Sequence, residues 1–138
     1  MHLLALFMPQ RKDIETLIDI QLLVDSFYLK VRKDELLGPI FEGKIKGNWI
    51  PHLEKMYNFW ETILLNVRKY SGSPFAAHAK LPVEKEHFDR WLSLFNQTVD
   101  ENFFGNTASE AKHRAENMGK MFHYKIQYYR EKGTEGLA

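Results

Sequence analysis

The run Asn48-Trp49-Ile50-Pro51-His52-Leu53-Glu54-Lys55-Met56-Tyr57-Asn58-Phe59-Trp60-Glu61-Thr62-Ile63-Leu64-Leu65-Asn66-Val67 reads as a helix on its spacing alone. Trp49, His52, Leu53, Met56, Phe59, Trp60, Ile63, Leu64 and Val67 recur at three- and four-residue steps, one face of the helical period. Asn48 suits the N-cap, and Pro51 falls in the first turn, where its missing N–H costs nothing. The stripe is wide and aromatic, and it carries one imidazole, His52, which needs a partner if buried. Tyr70, Gly72 and Pro74 close the segment.

Working upstream, Ile20, Leu23, Val24, Phe27, Tyr28 and Val31 repeat the same period between Asp13 and Arg32 and predict a second helix with Tyr28 on its inner face. Gly38-Pro39, within Asp34 to Phe41, predicts a stop to regular structure, and Glu42 to Gly47 a polar loop. Downstream, Phe75 to Leu81 is trapped between Pro74 and Pro82, with room for only a turn or two of helix. Pro82 suits the opening of a third long helix, with Val83, His87, Phe88, Trp91, Leu92, Phe95, Val99 and Phe103 as its stripe and Gly105-Asn106 as its stop. Thr107, followed three residues on by Glu110, predicts a capping box for a fourth. Ala111, Ala115, Met118, Phe122 and Tyr129 line that helix, and Gly119 permits a close approach by a neighbour. No alternating strand pattern appears, so the expectation is one all-α domain over residues 1–138, with 1–12 a loose extension and 131–138 a frayed tail.

Composition narrows the function. The 138 residues are 44% hydrophobic and 27% charged, a globular balance, and no apolar run approaches the length that spans a bilayer. Lys and Arg number 19 against 18 for Asp and Glu, leaving no excess positive field to gather nucleic acid or an anionic membrane. There is no cysteine, which removes disulfides, thiolate metal sites and cysteine nucleophiles together. Met1 to Met8 is apolar but lacks a preceding cation and a small-residue cleavage site, so it does not read as a signal peptide, and a cytoplasmic location is expected.

Any metal must therefore use His, carboxylate or a cofactor. Of the six histidines, His78 stands apart in its proline-bracketed segment, flanked by Ala76, Ala77 and Ala79, a small apolar shell that leaves one face of the ring accessible to something bulky and flat. Tyr28 must find a partner for its hydroxyl if buried, and Trp91 adds an indole N–H that only donates. Taken singly, each is accounted for by core packing.

Taken together they resemble the third group of the truncated haemoglobins. The resemblance is carried by Phe27-Tyr28 with Val31-Arg32, Leu37-Gly38-Pro39-Ile40-Phe41, Trp49 through His52 to Phe59-Trp60, then Tyr70, Gly72, Pro74, His78, Leu81, and Phe88 with Trp91-Leu92 and Phe95. The glycine pairs typical of the other two groups are absent. The resemblance implies a shortened globin fold, a two-over-two helical sandwich around haem b (iron protoporphyrin IX), with His78 the proximal iron ligand. It places Tyr28, His52 and Trp91 around the opposite face, where they would stabilise a ligand, with His52 either a movable gate or a sixth ligand. Phe27, Met56, Phe59, Trp91 and Met118 become apolar haem contacts, and Arg68, Lys69 and Arg90 partners for propionates. Phe75 to Lys80 holds no Asp or Glu, so the second ring N–H of His78 is expected to donate to a backbone carbonyl. The implied ligands are dioxygen, nitric oxide and other small molecules. Two donors beside a bound gas imply slow release, hence redox work on nitric oxide or peroxide, with an unidentified reductase, over oxygen transport.

Two rivals stand beside this. Glu84 with His87 and Glu110 with His113 have the Glu-x-x-His spacing of di-iron bundles. A cofactor-free helical interaction module would use the same stripes as plain core. The purified protein separates them: a Soret band at about 400 nm with about one haem per chain is expected, and colourless protein or non-haem iron would instead favour a rival.

Overall fold

In the computed structural model, which describes residues 11–132, helix α1 (Leu17–Lys33) starts where its amide donors first meet acceptors. The Thr16 hydroxyl accepts from the Asp19 amide at 3.3 Å, and the Asp19 carboxylate accepts from the amides of Glu15 and Thr16 at 2.9 and 3.1 Å. Such a reciprocal cap satisfies orphan donors at both positions and fixes the start. The predicted stripe is buried as a unit: Ile20, Leu23, Val24, Phe27, Tyr28 and Val31.

The expected stop at Gly38-Pro39 is instead the opening of helix α2 (Gly38–Ile45), which takes in most of the polar loop predicted over 42–47. Asp34 Oδ2 accepts from the amides of Leu36 and Leu37 at 3.1 and 3.0 Å, and the Gly38 amide donates to the Asp34 carbonyl at 2.9 Å. Proline then sits in a first turn, which it tolerates as readily as a helix end. Glycine is needed at 38 because a Cβ there would lie 3.0 Å from the Arg32 carbonyl oxygen. The helix closes through Lys46 and Gly47, at φ of 55° and 82°.

Helix α3 (Trp49–Leu65) has Asn48 at its N-cap as predicted, without a side-chain capping bond. Its start is anchored by Trp49, whose Nε1 donates to Glu42 at 3.0 Å and whose ring lies under the Arg32 guanidinium at 4.4 Å. The helix ends before Val67, which is exposed rather than part of the stripe. The proline-bracketed segment holds α4 (Pro74–His78). Helix α5 (Lys85–Asn102) begins three residues beyond Pro82, where His87 Nδ1 accepts from the Glu84 amide at 2.9 Å.

Helix α6 (Asn106–Lys132) is capped differently from expectation. Glu110 pairs with Arg114 at 2.7 Å, and the first amides are taken by a residue far away in sequence: Asp13 accepts from Thr107 and Ala108 at 2.9 and 2.8 Å. Gly105, at φ 144°, makes room, since a Cβ there would lie 2.5 Å from Asp13 Cγ. Of the expected loose extension, residues 1–10 lie outside the described residues, but the Lys12 carbonyl accepts from the Phe104 amide at 2.9 Å, so that end is held. Of the expected tail, Glu131 and Lys132 close α6, and the rest lies outside the described residues.

The described residues are all-α, with α1 packed on α3 and on α5, and α5 packed on α6. None of these helices is long and apolar enough to cross a membrane. The buried apolar side chains form two clusters: a large one around Leu23, Phe27, Trp60, Phe95 and Val99, and a smaller one of Phe75, Val83, Phe122 and Ile126.

Burial raises the Asp13 carboxyl pKa, but the amides of Thr107, Ala108 and Ile14 outweigh it and hold the group below the usual carboxylate range. A depressed native pKa gives stability that is present above the unfolded value and is lost as pH falls through the native one. Asp13→Ala should therefore cost about 1–2 kcal/mol at neutral pH by denaturant titration, and the gap to wild type should shrink below pH of about 4.

Candidate functional site

Between the two apolar clusters lies a cavity of about 530 Å3, walled by Tyr28 of α1, by His52, Met56, Phe59 and Trp60 of α3, and by His78, Trp91 and Met118 of α4, α5 and α6. A second space of about 60 Å3 shares Ile40, Phe41, His78, Leu81, Trp91 and Met118 with it and runs on to Phe88, Gly119 and Phe122. A small domain ordinarily has one contiguous core. Here the core is parted by a site within the size range of small-molecule pockets.

His78 ends α4, and its Nδ1 lies 2.7 Å from the Pro74 carbonyl oxygen. The carbonyl can only accept, so Nδ1 carries the proton and donates, and the neutral tautomer leaves its lone pair on Nε2. This is the backbone-carbonyl partner predicted from the lack of a nearby carboxylate. Burial pushes the His78 pKa down, the Pro74 bond opposes this, and Lys44 adds to the lowering, so the ring is neutral near pH 7. The ring also packs 4.9 Å from that of Phe122.

The connection that leads into the short α4 is held by α3. Thr62 Oγ1 donates to the Asn58 carbonyl at 2.7 Å and accepts from the amides of Lys69 and Tyr70 at 3.1 and 3.0 Å. Lys69 Nζ lies 2.9 Å from the buried Glu61. Tyr70 then packs edge-on against Phe59 at 5.2 Å, which brings the chain back to the cavity before Pro74.

Across the cavity, the ring of Tyr28 is edge-on to those of His52 and Trp49, at 5.0 and 6.0 Å and interplanar angles of 86° and 62°. Burial alone drives the Tyr28 pKa upward, keeping the hydroxyl protonated. His52 Nε2 is buried with no hydrogen-bond partner, an unmet polar group on the cavity wall. Burial, then the charges of Lys55 and His78, push its pKa down to about 4, so it too is neutral near pH 7. Trp91 is stacked on Phe95 at 5.6 Å and lines both spaces.

The predicted set is thus largely gathered: Tyr28, His52, Met56, Phe59, His78, Trp91 and Met118 all line the large cavity. Phe27 does not. It is 2% exposed and packs edge-on against Tyr28, Trp91 and Phe95, supporting the wall from behind. Arg90 is not a lining residue either, because its Nε is held by Asp34 at 2.8 Å, and Lys69 is taken by Glu61. Arg68 is likewise absent from the wall. The cations of the lining are Lys44 and Lys55, which sequence reading passed over: Lys44 sits on the helix read as a loop, and Lys55 sits one residue from the Met56 of the stripe.

The Glu-x-x-His pairs do not converge. Glu84 pairs with Arg130 at 2.5 Å, His113 is exposed beside Asn117, and no group of three His, Cys, Asp or Glu among the described residues could hold a metal ion. The site does suit a flat iron cofactor: an imidazole with a free Nε2, a second imidazole whose Nε2 is buried and unpartnered, apolar walls and two cations in the lining with no carboxylate.

A family model described as bacterial-like globin matches residues 15–127. The group 3 truncated hemoglobin ctb of Campylobacter jejuni subsp. jejuni serotype O:2 is 42% identical over 82 residues, covering 56% of this chain. That match spans 65% of the relative's own length. The crystal structure of group III truncated hemoglobin from Campylobacter jejuni is similar at a TM-score of 0.79 and 31% identity, covering 85% of this chain and 95% of the other.

Thr62→Val keeps the shape of the side chain but removes the acceptor for two amides. A loss of about 1–3 kcal/mol is expected in chemical denaturation. Hydrogen exchange should quicken at Lys69 and Tyr70 more than in α1, and uniform exchange across the chain would count against a local clamp.

Proposed function

From the premise that the chain belongs to the bacterial-like globin family, whose members bind haem and diatomic ligands, we propose that it holds haem b through His78 and uses the bound gas for redox chemistry. The reaction is oxidation of nitric oxide or reduction of peroxide rather than oxygen transport, and it takes its electrons from an unidentified reductase. The observation that carries this is the parted core, with its cavity of about 530 Å3 and an imidazole on each side.

When bound, haem supplies an iron that takes small ligands and exchanges single electrons. His78 offers a neutral Nε2 in a ring aimed by the Pro74 carbonyl, and with no carboxylate on Nδ1 it is a moderate, globin-like donor. Lys44 and Lys55, the cations of the lining, would meet the propionates. Met56, Phe59 and Met118 supply apolar surface and exclude water.

Tyr28 of α1 and Trp91 of α5, both in the cavity lining, would each offer a hydrogen to a small polar ligand. Burial keeps the Tyr28 hydroxyl protonated, and an indole N–H has no acceptor role, so neither switches to repelling an electron-rich ligand. A hydrogen bond to a charged acceptor is worth about 1.5–3 kcal/mol, and each 1.4 kcal/mol is about tenfold in an equilibrium. Felt mainly in dissociation, one such donor slows ligand loss by about ten- to a hundredfold. Two donors hold a ligand long enough for a second molecule to react with it, whereas a carrier must let go.

Oxygen dissociation from the ferrous haem protein, followed by stopped flow, tests the assignment. Tyr28→Phe should raise the off-rate by about ten- to a hundredfold. An unchanged rate would remove Tyr28 from this role, and fast release from wild type would point to an oxygen store, carrier or gas sensor.

A further inference from the structure

We infer that Gly119 is a seat for the edge of the flat cofactor. The inference rests on the haem reading above and concerns a residue that reading does not use. Gly119 is buried in the middle of α6, a helix of 27 residues. After proline, glycine is the poorest residue for a helix interior. It is tolerated there when a neighbouring backbone comes close or when something else needs the room.

No neighbour comes close. A Cβ built on Gly119 meets no heavy atom within 4 Å, whereas one on Gly38 would sit 3.0 Å from a backbone oxygen and one on Gly105 2.5 Å from Asp13. The expected helix-to-helix approach at Gly119 is therefore absent. Gly43, Gly47 and Gly72 also have open surroundings, but they are exposed in loops or at the surface. Among the described residues, Gly119 alone is both buried and untouched at the Cβ position.

The open side of Gly119 is the space of about 60 Å3, which adjoins the main cavity and shares Ile40, Phe41, His78, Leu81, Trp91 and Met118 with it. Along the same face of α6, Ala111 and Ala115 are fully buried in the large apolar cluster. One turn beyond Ala115 the protein partner ends and the gap begins, and by Phe122 the helix meets the His78 ring at 4.9 Å. The gap is walled by Ile40, Phe88, Trp91, Met118 and Phe122 and lies beside the iron-binding imidazole, so its occupant is apolar, flat and attached to the metal: the rim of a porphyrin.

The test is a size series, Gly119→Ala and Gly119→Leu, made in the full chain. In the apo-proteins both variants should fold, and Gly119→Ala should melt about 3–5 °C above wild type, because a better helix former enters empty space. In haemin titrations followed at the Soret band, Gly119→Ala should bind within about threefold of wild type, while Gly119→Leu should lose at least about tenfold in affinity. Failure of wild type to take up haemin would overturn the cofactor reading and this inference with it. Wild-type haemin affinity in Gly119→Leu would overturn the inference alone. So would apo-proteins of both variants that melt below wild type, since that would mean a protein neighbour fills the gap.

Discussion

The hydrogen bond of 2.7 Å from His78 Nδ1 to the Pro74 carbonyl fixes a ring at the end of a helix only five residues long. So short a helix has little stability of its own. Its position is imposed from outside, by Thr62 of α3, which gathers the amides of Lys69 and Tyr70, and by Arg130 of α6. The Arg130 guanidinium donates to the carbonyls of Leu81 and Val83 at 3.3 and 2.9 Å and pairs with Glu84. The imidazole is thus clamped on both flanks by long helices, and its free nitrogen faces the cavity in one tautomer.

The same long helices hold the cavity open. α1 with α3 and α5 with α6 make two walls, and bonds between distant parts of the chain keep them in register: Asp13 on the start of α6, Lys30 with Glu101, and Arg90 with Asp34. Aromatic rings fill the depth behind the site. Trp60 and Trp91 both stack on Phe95, with Phe27 edge-on, so the wall behind Tyr28 is aromatic and apolar. A donor in such a setting is worth more than one in water, because no solvent competes for its hydrogen.

Electrostatically the site is sparing. Its lining holds two lysines, two imidazoles that burial keeps neutral, the phenols of Tyr28 and Tyr70, the indoles of Trp60 and Trp91, and the side chains of Asn48 and Ser73, with no carboxylate. The two ammonium groups are the charged side chains of that lining. That arrangement suits a neutral or electron-rich small ligand between the imidazoles and an anionic group at the lysines.

The sequence by itself determined the long helices and which faces of them are apolar, because helical periodicity is a local property: the stripes of α1 and α3 and most of that of α5 are read directly from spacing. It also exposed His78, since two prolines and no carboxylate leave one kind of partner for its second nitrogen, and the ordered set of Tyr28, His52, His78 and Trp91 carried the family resemblance. Tertiary structure alone decided that Gly38-Pro39 opens a helix, that Asp13 and not Thr107 caps α6, that Phe27 stands behind the wall and that Lys44 and Lys55, not Arg90, belong to the lining. Each of these depends on groups brought together from distant parts of the chain or on which of two nearby acceptors lies closer in space. A hydrogen bond or an ion pair is won by distance and angle, and those are set only once the helices have packed.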